Sequence, residues 1–338
     1  MMRFIAFDLE GPLTPTDAAY ELLSLTPNGR RIFEQLSLYD DYLTLEGRPG
    51  YEPGFTLSLM TPFLACHQIS SRNLERIAAG APLVTGARET ILRLKAESFE
   101  VFVISTAPQE FARVVSRRLG IEDSKVVATR FPIGGFELYF PSTVLEKVGQ
   151  LEVEVLATQD NFEKTAEIFE EFFWKYLPEQ GIDILKIVEV LGGIKKKEVV
   201  ERLSRRYDVE LSSWAVVGDS ITDQAMLSEV RRTGGLAIVF NGNSYALEKG
   251  NVAVASLELT AILPVCKTWQ EGGLREVRKR IIAQEKEGIS GRKEIKETAN
   301  SERTYFWLPG ESEGQFREIV EIHSDFRNRV RGEAGRLG

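Results

Sequence analysis

The sequence predicts an α/β fold: a parallel sheet with helices packed on both faces. Short apolar runs of strand length recur at residues 4–7, 101–104, 215–217, 236–240 and 252–255. Helical patterns separate them at 86–94, 109–119, 197–207 and 222–230. Runs that are apolar throughout suit strands buried on both faces, and strand–helix alternation is the pattern of parallel crossovers. The third observation is chemical. Polar residues follow three of these strands directly, at the edge where open α/β sheets bind ligands.

The first strand, 4–7, is stopped by the turn Glu10-Gly11-Pro12. A helix-rich segment follows, with apolar residues in helical spacing (Tyr20, Leu22, Leu23; Ile32, Phe33, Leu36) and a turn-rich middle at 46–54. After the 101–104 strand and the 109–119 helix, which ends at Gly120, a further strand is predicted at 126–128. Between 131 and 192 there is a Gly134-Gly135 turn, a predicted strand at 151–156 and a strong amphipathic helix at 161–177. Its Phe162, Ile168, Phe169, Phe172 and Phe173 read as a packing stripe. The α/β pattern then resumes, with 252–255 as the final predicted strand. From about 264 the chain is charged, with helices predicted at 274–285 and 315–330 and a polar stretch at 292–303 between them.

The length of 338 residues suits two domains or one core with large insertions, and 43% hydrophobic residues suffice for a sizeable core. A net charge of −8 argues against a general nucleic-acid binder, which needs a basic face. Only Cys66 and Cys266 occur, far apart and in no metal-ligand spacing, so a reduced, cytoplasmic setting is expected. The N-terminal apolar run is broken by Asp8 and Glu10, too early for a signal peptide or a membrane span; no membrane insertion is expected.

The polar strand ends carry the functional reading. Asp8 and Glu10 follow the first strand, Ser105 and Thr106 the second, and Asp219 and Asp223 the strand at 215–217. Lys196 precedes the helix that leads into that last strand. These types suit phosphoryl transfer, where catalysis is mainly positioning and charge stabilisation. A carboxylate can attack phosphorus, a second can move a proton, carboxylates can hold Mg²⁺, and hydroxyls and an amine can bind phosphate. Taken singly, each has an ordinary explanation: a solvated strand-end acid, a helix N-cap, a solvated helix start. The joint pattern in four segments favours chemistry.

The runs FDLEGPL, VIST, GGIKKKEVVERL and VVGDSITDQAML resemble, in order and spacing, the four motifs of the haloacid dehalogenase superfamily, and most nearly its phosphoserine-phosphatase-like branch. The resemblance spans about 1–15, 83–130 and 190–256. It implies a Rossmann-like core (1–15, 83–130 and 191–265), a helical cap (16–82), a second, α+β insertion (131–190) and a C-terminal helical extension (266–338). By the same resemblance Asp8 is the nucleophile and a metal ligand, and Glu10 is the acid/base and a ligand through its backbone carbonyl. Ser105 and Thr106 bind phosphate, as does a lysine whose register favours Lys196 over Lys195 and Lys197. Asp219 is the main carboxylate ligand of Mg²⁺, supported by Asp223. Three positions depart from the usual pattern: Glu10 for Asp, Pro12 for Thr or Val, and Thr222 for Asn.

The function this implies is Mg²⁺-dependent hydrolysis of a small phosphorylated metabolite through an aspartyl-phosphate on Asp8. The alternatives are a phosphotransferase of the same fold and a non-catalytic accessory subunit, as labelled in some archaeal proteins of similar layout. His67 and His323 have no partner pattern and read as satisfied histidines. The charged tail reads as a packed appendage, or as a contact to a second copy or a protein partner, outside the catalytic machinery.

Overall fold

The computed structural model describes residues 3–289, 303–310 and 312–336. Its seven strands are β1 (Arg3–Phe7), β2 (Phe99–Pro108), β3 (Val126–Thr129), β4 (Trp214–Gly218), β5 (Leu236–Phe240), β6 (Val252–Ser256) and β7 (Arg303–Trp307). They form one sheet in the order β3-β2-β1-β4-β5-β6-β7. The first six pair in parallel, and Ile5 stands between Val101 and Ala215. β7 runs antiparallel to β6, with Val252 opposite Trp307.

Successive strand residues face opposite sides of a sheet. Ile5, Phe7, Val101, Val103, Ala215 and Val217 enter one core, and Phe4, Ala6, Phe102, Ile104 and Val216 enter the other. All are buried, which is why these runs are apolar throughout. Strand order reverses between β1 and β4, so the C-terminal ends of those two strands lie side by side. That switch point is where open α/β sheets leave a crevice for ligands.

Two helical segments lie between strands, one between β1 and β2 and one between β3 and β4, and residues of the first line the crevice at this edge. The first contains Ala18–Leu23, Gly29–Leu45, Thr61–Cys66 and Ser71–Gly80; the second contains Ser142–Thr158, Phe162–Glu171 and Ile184–Ile187. They pack on each other. Tyr39 donates to Glu170 (2.9 Å) and accepts from Trp174 Nε1 (2.9 Å), and its ring lies 5.2 Å from that of Phe169. His67, half-buried, pairs with Glu152 at 2.7 Å.

Two predicted elements differ. Residues 151–156, expected as a strand, lie inside the helix Ser142–Thr158, so the secondary structure of the second insertion is helical among the described residues. The local sequence LEVEVL alternates like a strand, but Val144, Val148, Leu151 and Val155 recur at helical spacing and are the buried ones. Val153, which a strand would bury with Leu151 and Val155, is exposed. The strand β6 is also not the last. The run RTYFW adds β7 at the sheet edge, where one-sided pairing suffices for a short aromatic run. Residues 292–302 of the predicted polar stretch lie outside the described residues.

No helix among the described residues is long and apolar enough to cross a membrane. The final helix, Glu313–Arg331, begins with a Ser312/Gln315 capping box and buries Ile319, His323, Phe326 and Arg327. His323 Nδ1 accepts from Gly242 N–H at 3.1 Å. Burial pushes its pKa down to about 3. A histidine depressed in the folded state contributes stability that is complete above the unfolded value of about 6.5 and is lost as pH falls toward 3. The loss is expected to reach about 5 kcal/mol at the acid end. Urea unfolding from pH 7 to 4 checks this: His323→Gln should show a shallower acid decline than the parent protein. Equal slopes would reject the assignment.

Candidate functional site

Asp8 stands just beyond β1, and its backbone N–H donates to Val217 of β4 at 2.8 Å. That bond ties the first acidic residue to the strand that presents the others. The carboxylate accepts from Leu9 N–H at 2.7 Å and is 4% exposed. Gly11, three residues later, has φ +106, and a methyl group there would collide with the Asp219 carboxylate. The glycine is therefore required twice, by its backbone conformation and by close approach.

Asp219 and Asp223 follow β4. Asp223 Oδ2 accepts from Asp219 N–H (3.0 Å) and Ser220 N–H (3.2 Å), which fixes the loop. Lys196, on the helix Ile194–Tyr207, is fully buried. Its ammonium lies 3.1 Å from Asp8 and 2.7 Å from Asp223. Lys195 and Lys197 instead meet Glu189 and Glu201, so the lysine in the site is Lys196. Burial opposes the Lys196 charge, but Asp223 and Asp8 outweigh it and hold the ammonium above its ordinary value. The Asp8 carboxyl is raised to about 7, first by burial and then by Asp223, against the pull of Lys196.

Glu10 is half-buried and accepts from Ala18 N–H at 2.7 Å, joining the strand-end loop to the helix Ala18–Leu23. Burial and then Asp17 raise its pKa well above the usual carboxylate range. Ser105 is buried and accepts from Ala107 N–H at 3.2 Å; Thr106 donates to Leu191 O at 3.0 Å. The cap loop reaches this point. A Cβ on Gly54, itself at φ +95, would lie 2.8 Å from the Thr106 methyl.

Asp8, Asp219 and Asp223 each offer an oxygen within 4.8 Å of the others. Glu10, assigned to the metal through its backbone carbonyl, has its carboxylate outside this group. Asp223 already has both oxygens engaged, whereas Asp219 Oδ1 is buried with no hydrogen-bond partner. A lone carboxylate oxygen in that setting is costly unless a cation completes it. The residues therefore fit a hard dication, with Asp8 and Asp219 as the freer donors and Asp223 holding the loop.

No protein-family model matches the sequence, and no curated protein matches it. Among solved structures the chain is similar over 100% of its length to 99% of a gene product from Archaeoglobus fulgidus, with TM-score 0.80 and 29% identity. It covers 98% of a substrate-bound phosphoserine phosphatase with 78% of its own length, at TM-score 0.52 and 17% identity. A structure of phosphoserine phosphatase as a phospho-aspartyl intermediate analogue matches with the same values. The chain has the haloacid dehalogenase fold.

On this haloacid dehalogenase fold the tail does more than pack. Arg327 and Arg331 of the final helix both donate to Asp219 Oδ2, Arg331 at 3.0 Å. The tail, expected as a packed appendage or a partner contact, thus reaches Asp219, one of the residues predicted for the site. The antiparallel β7 turns the chain back, so that the final helix ends at the switch point. The signal was in the sequence: Ile319, His323, Arg327 and Arg331 are spaced four apart and share one helix face. A buried face that ends in two arginines needs a carboxylate partner. The arginines, Asp8, Glu10, Asp17 and Thr106 line a cavity of about 110 Å³ between core and cap.

Proposed function

We propose that this chain is a Mg²⁺-dependent phosphohydrolase acting on a small phosphomonoester, with Asp8 as covalent nucleophile. The observation that carries this reading is the buried ammonium of Lys196 between Asp8 and Asp223, beside the unpartnered oxygen of Asp219. A carboxylate held by one fixed cation, next to a second vacant acceptor, suits attack on a phosphate whose charge needs neutralising.

In the first step an Asp8 oxygen attacks phosphorus in line. The bond to the ester oxygen breaks, and the leaving alkoxide takes a proton from Glu10. The raised pKa of Glu10 suits a proton donor near neutral pH. In the second step Glu10 takes a proton from water. The resulting hydroxide attacks phosphorus, the bond to Asp8 breaks, and phosphate leaves with Asp8 restored. Lys196 stays charged throughout and balances Asp8 whenever it is free. Ser105 and the Thr106 amide supply donors to the non-bridging oxygens. Mg²⁺, when held by Asp8 and Asp219, supplies electrostatic stabilisation of the phosphoryl charge.

The cavity of about 110 Å³ is well below the size of drug-like ligand sites, which supports a small substrate. The phosphoserine phosphatase solved as a phospho-aspartyl analogue shares this fold, which supports the same intermediate here. A panel of phosphomonoesters with Mg²⁺, read by phosphate release, tests the reading. Release from at least one small ester, abolished by EDTA and restored by Mg²⁺, is expected. No release from any ester would overturn it.

A further inference from the structure

The two arginines of the final helix are not equivalent. Arg327 is anchored: it donates through Nε to Gly335 O (3.0 Å) and through Nη1 to Asp219 O (3.2 Å) as well as to the Asp219 carboxylate. Arg331 donates to Asp219 Oδ2 through one nitrogen, and its Nε is buried with no hydrogen-bond partner. Its side chain is only 6% exposed, and it lines the cavity that holds Asp8 and Glu10. A buried guanidinium with an unused donor is costly, and its planar fork matches the oxygens of a phosphate.

Charge points the same way. Three carboxylates in direct ion-pair or hydrogen-bond contact (Asp8, Asp219, Asp223) face three cations (Lys196, Arg327, Arg331). That set is balanced, while Glu10 and Asp17, which line the same cavity, add further acidic groups. A dication and a phosphate dianion then enter as a neutral pair. Without the arginines the same three acids would favour the cation and repel the anion.

We propose that Arg331 is an anion-binding residue of this site, delivered by the C-terminal helix to receive non-bridging phosphoryl oxygens, with Arg327 as its positioning residue. This rests on the phosphohydrolase reading for the identity of the anion. The final helix is then part of the active site, and the cavity offers phosphate two sides: Thr106 from the core and Arg331 from the tail.

The test is calorimetric titration of inorganic phosphate into the full-length protein with Mg²⁺, for the parent, Arg331→Gln and Arg331→Lys. Arg331→Gln should weaken phosphate binding by about ten- to hundredfold, the range expected for a charged hydrogen bond. Arg331→Lys, which keeps the charge but loses the fork, should fall between. Mn²⁺ binding followed by electron paramagnetic resonance should be equal or tighter in Arg331→Gln, because a cation beside Asp219 has gone. Unchanged phosphate affinity in Arg331→Gln, or no phosphate binding by the parent, would overturn the inference. If Arg331→Gln loses phosphate binding in a protein that hydrolyses no ester, the anion site stands and only the hydrolytic reading falls.

Discussion

Asp8→Asn is expected to abolish Mg²⁺-dependent hydrolysis of an aryl phosphate, by about a thousandfold or more, while the protein stays folded. The amide is nearly isosteric and its oxygen can still accept from Leu9 N–H, so the strand end keeps its geometry. What goes is the nucleophile, and an amide oxygen does not form the acyl phosphate. Stability should change by no more than about 1–2 kcal/mol, since Lys196 retains Asp223 and one of two mutually repelling buried acids is removed. Phosphate release and thermal unfolding measured on the same preparation check both halves. A folded Asp8→Asn protein that still hydrolyses the ester would rule out Asp8 as nucleophile. Loss of activity through unfolding would show up separately in the melt.

The parts of the site carried by strand ends were legible in the sequence. Ala215–Val217 is apolar because both faces of β4 are covered, so the run stops where the chain leaves the sheet and Asp219 emerges there. The same reasoning locates Asp8 and Ser105. Lys196 was harder, because three lysines in a row share a helix start and only the packing of that helix decides which one points inward. The strand expected at 151–156 failed for a related reason. Alternating Val and Glu satisfies a strand over six residues, and only the longer window that includes Val144 and Val148 shows the helical stripe. The arginines were missed because a charged tail reads as solvated when its partner is far away in sequence. Asp219 and Arg327 are 108 positions apart. Nothing local marks such a pair except the spacing from Ile319 to Arg331.

Lys196→Met should cost both activity and stability, and the second loss identifies the role of the residue. The methionine fills similar space, so the cavity term is small. The charge term is not. Asp8 and Asp223 would stand in a buried site without the ammonium that now lies 3.1 Å and 2.7 Å from them. Breaking a buried ion pair by removing one partner costs about 3–5 kcal/mol. The sign with pH follows. Carboxyls whose folded pKa is raised above the unfolded value of about 4 stabilise the fold fully only below that value, and the contribution is lost as pH rises through the folded pKa. Asp8 is already raised to about 7 with the lysine present, and losing the lysine raises it further. The Asp8 share of the stability gap between Lys196→Met and the parent should therefore be small from pH 4 to about 7, where both proteins keep Asp8 protonated, and widen above pH 7. Urea unfolding across that range measures it. Adding Asp8→Asn to Lys196→Met should recover part of the loss, because it removes one of the two stranded charges. No recovery, or a gap independent of pH, would mean that Lys196 is held by packing rather than by the acids it bridges. Hydrolysis should stay abolished in the double variant even where stability returns, because the proposed nucleophile and the ammonium that balances it are both gone.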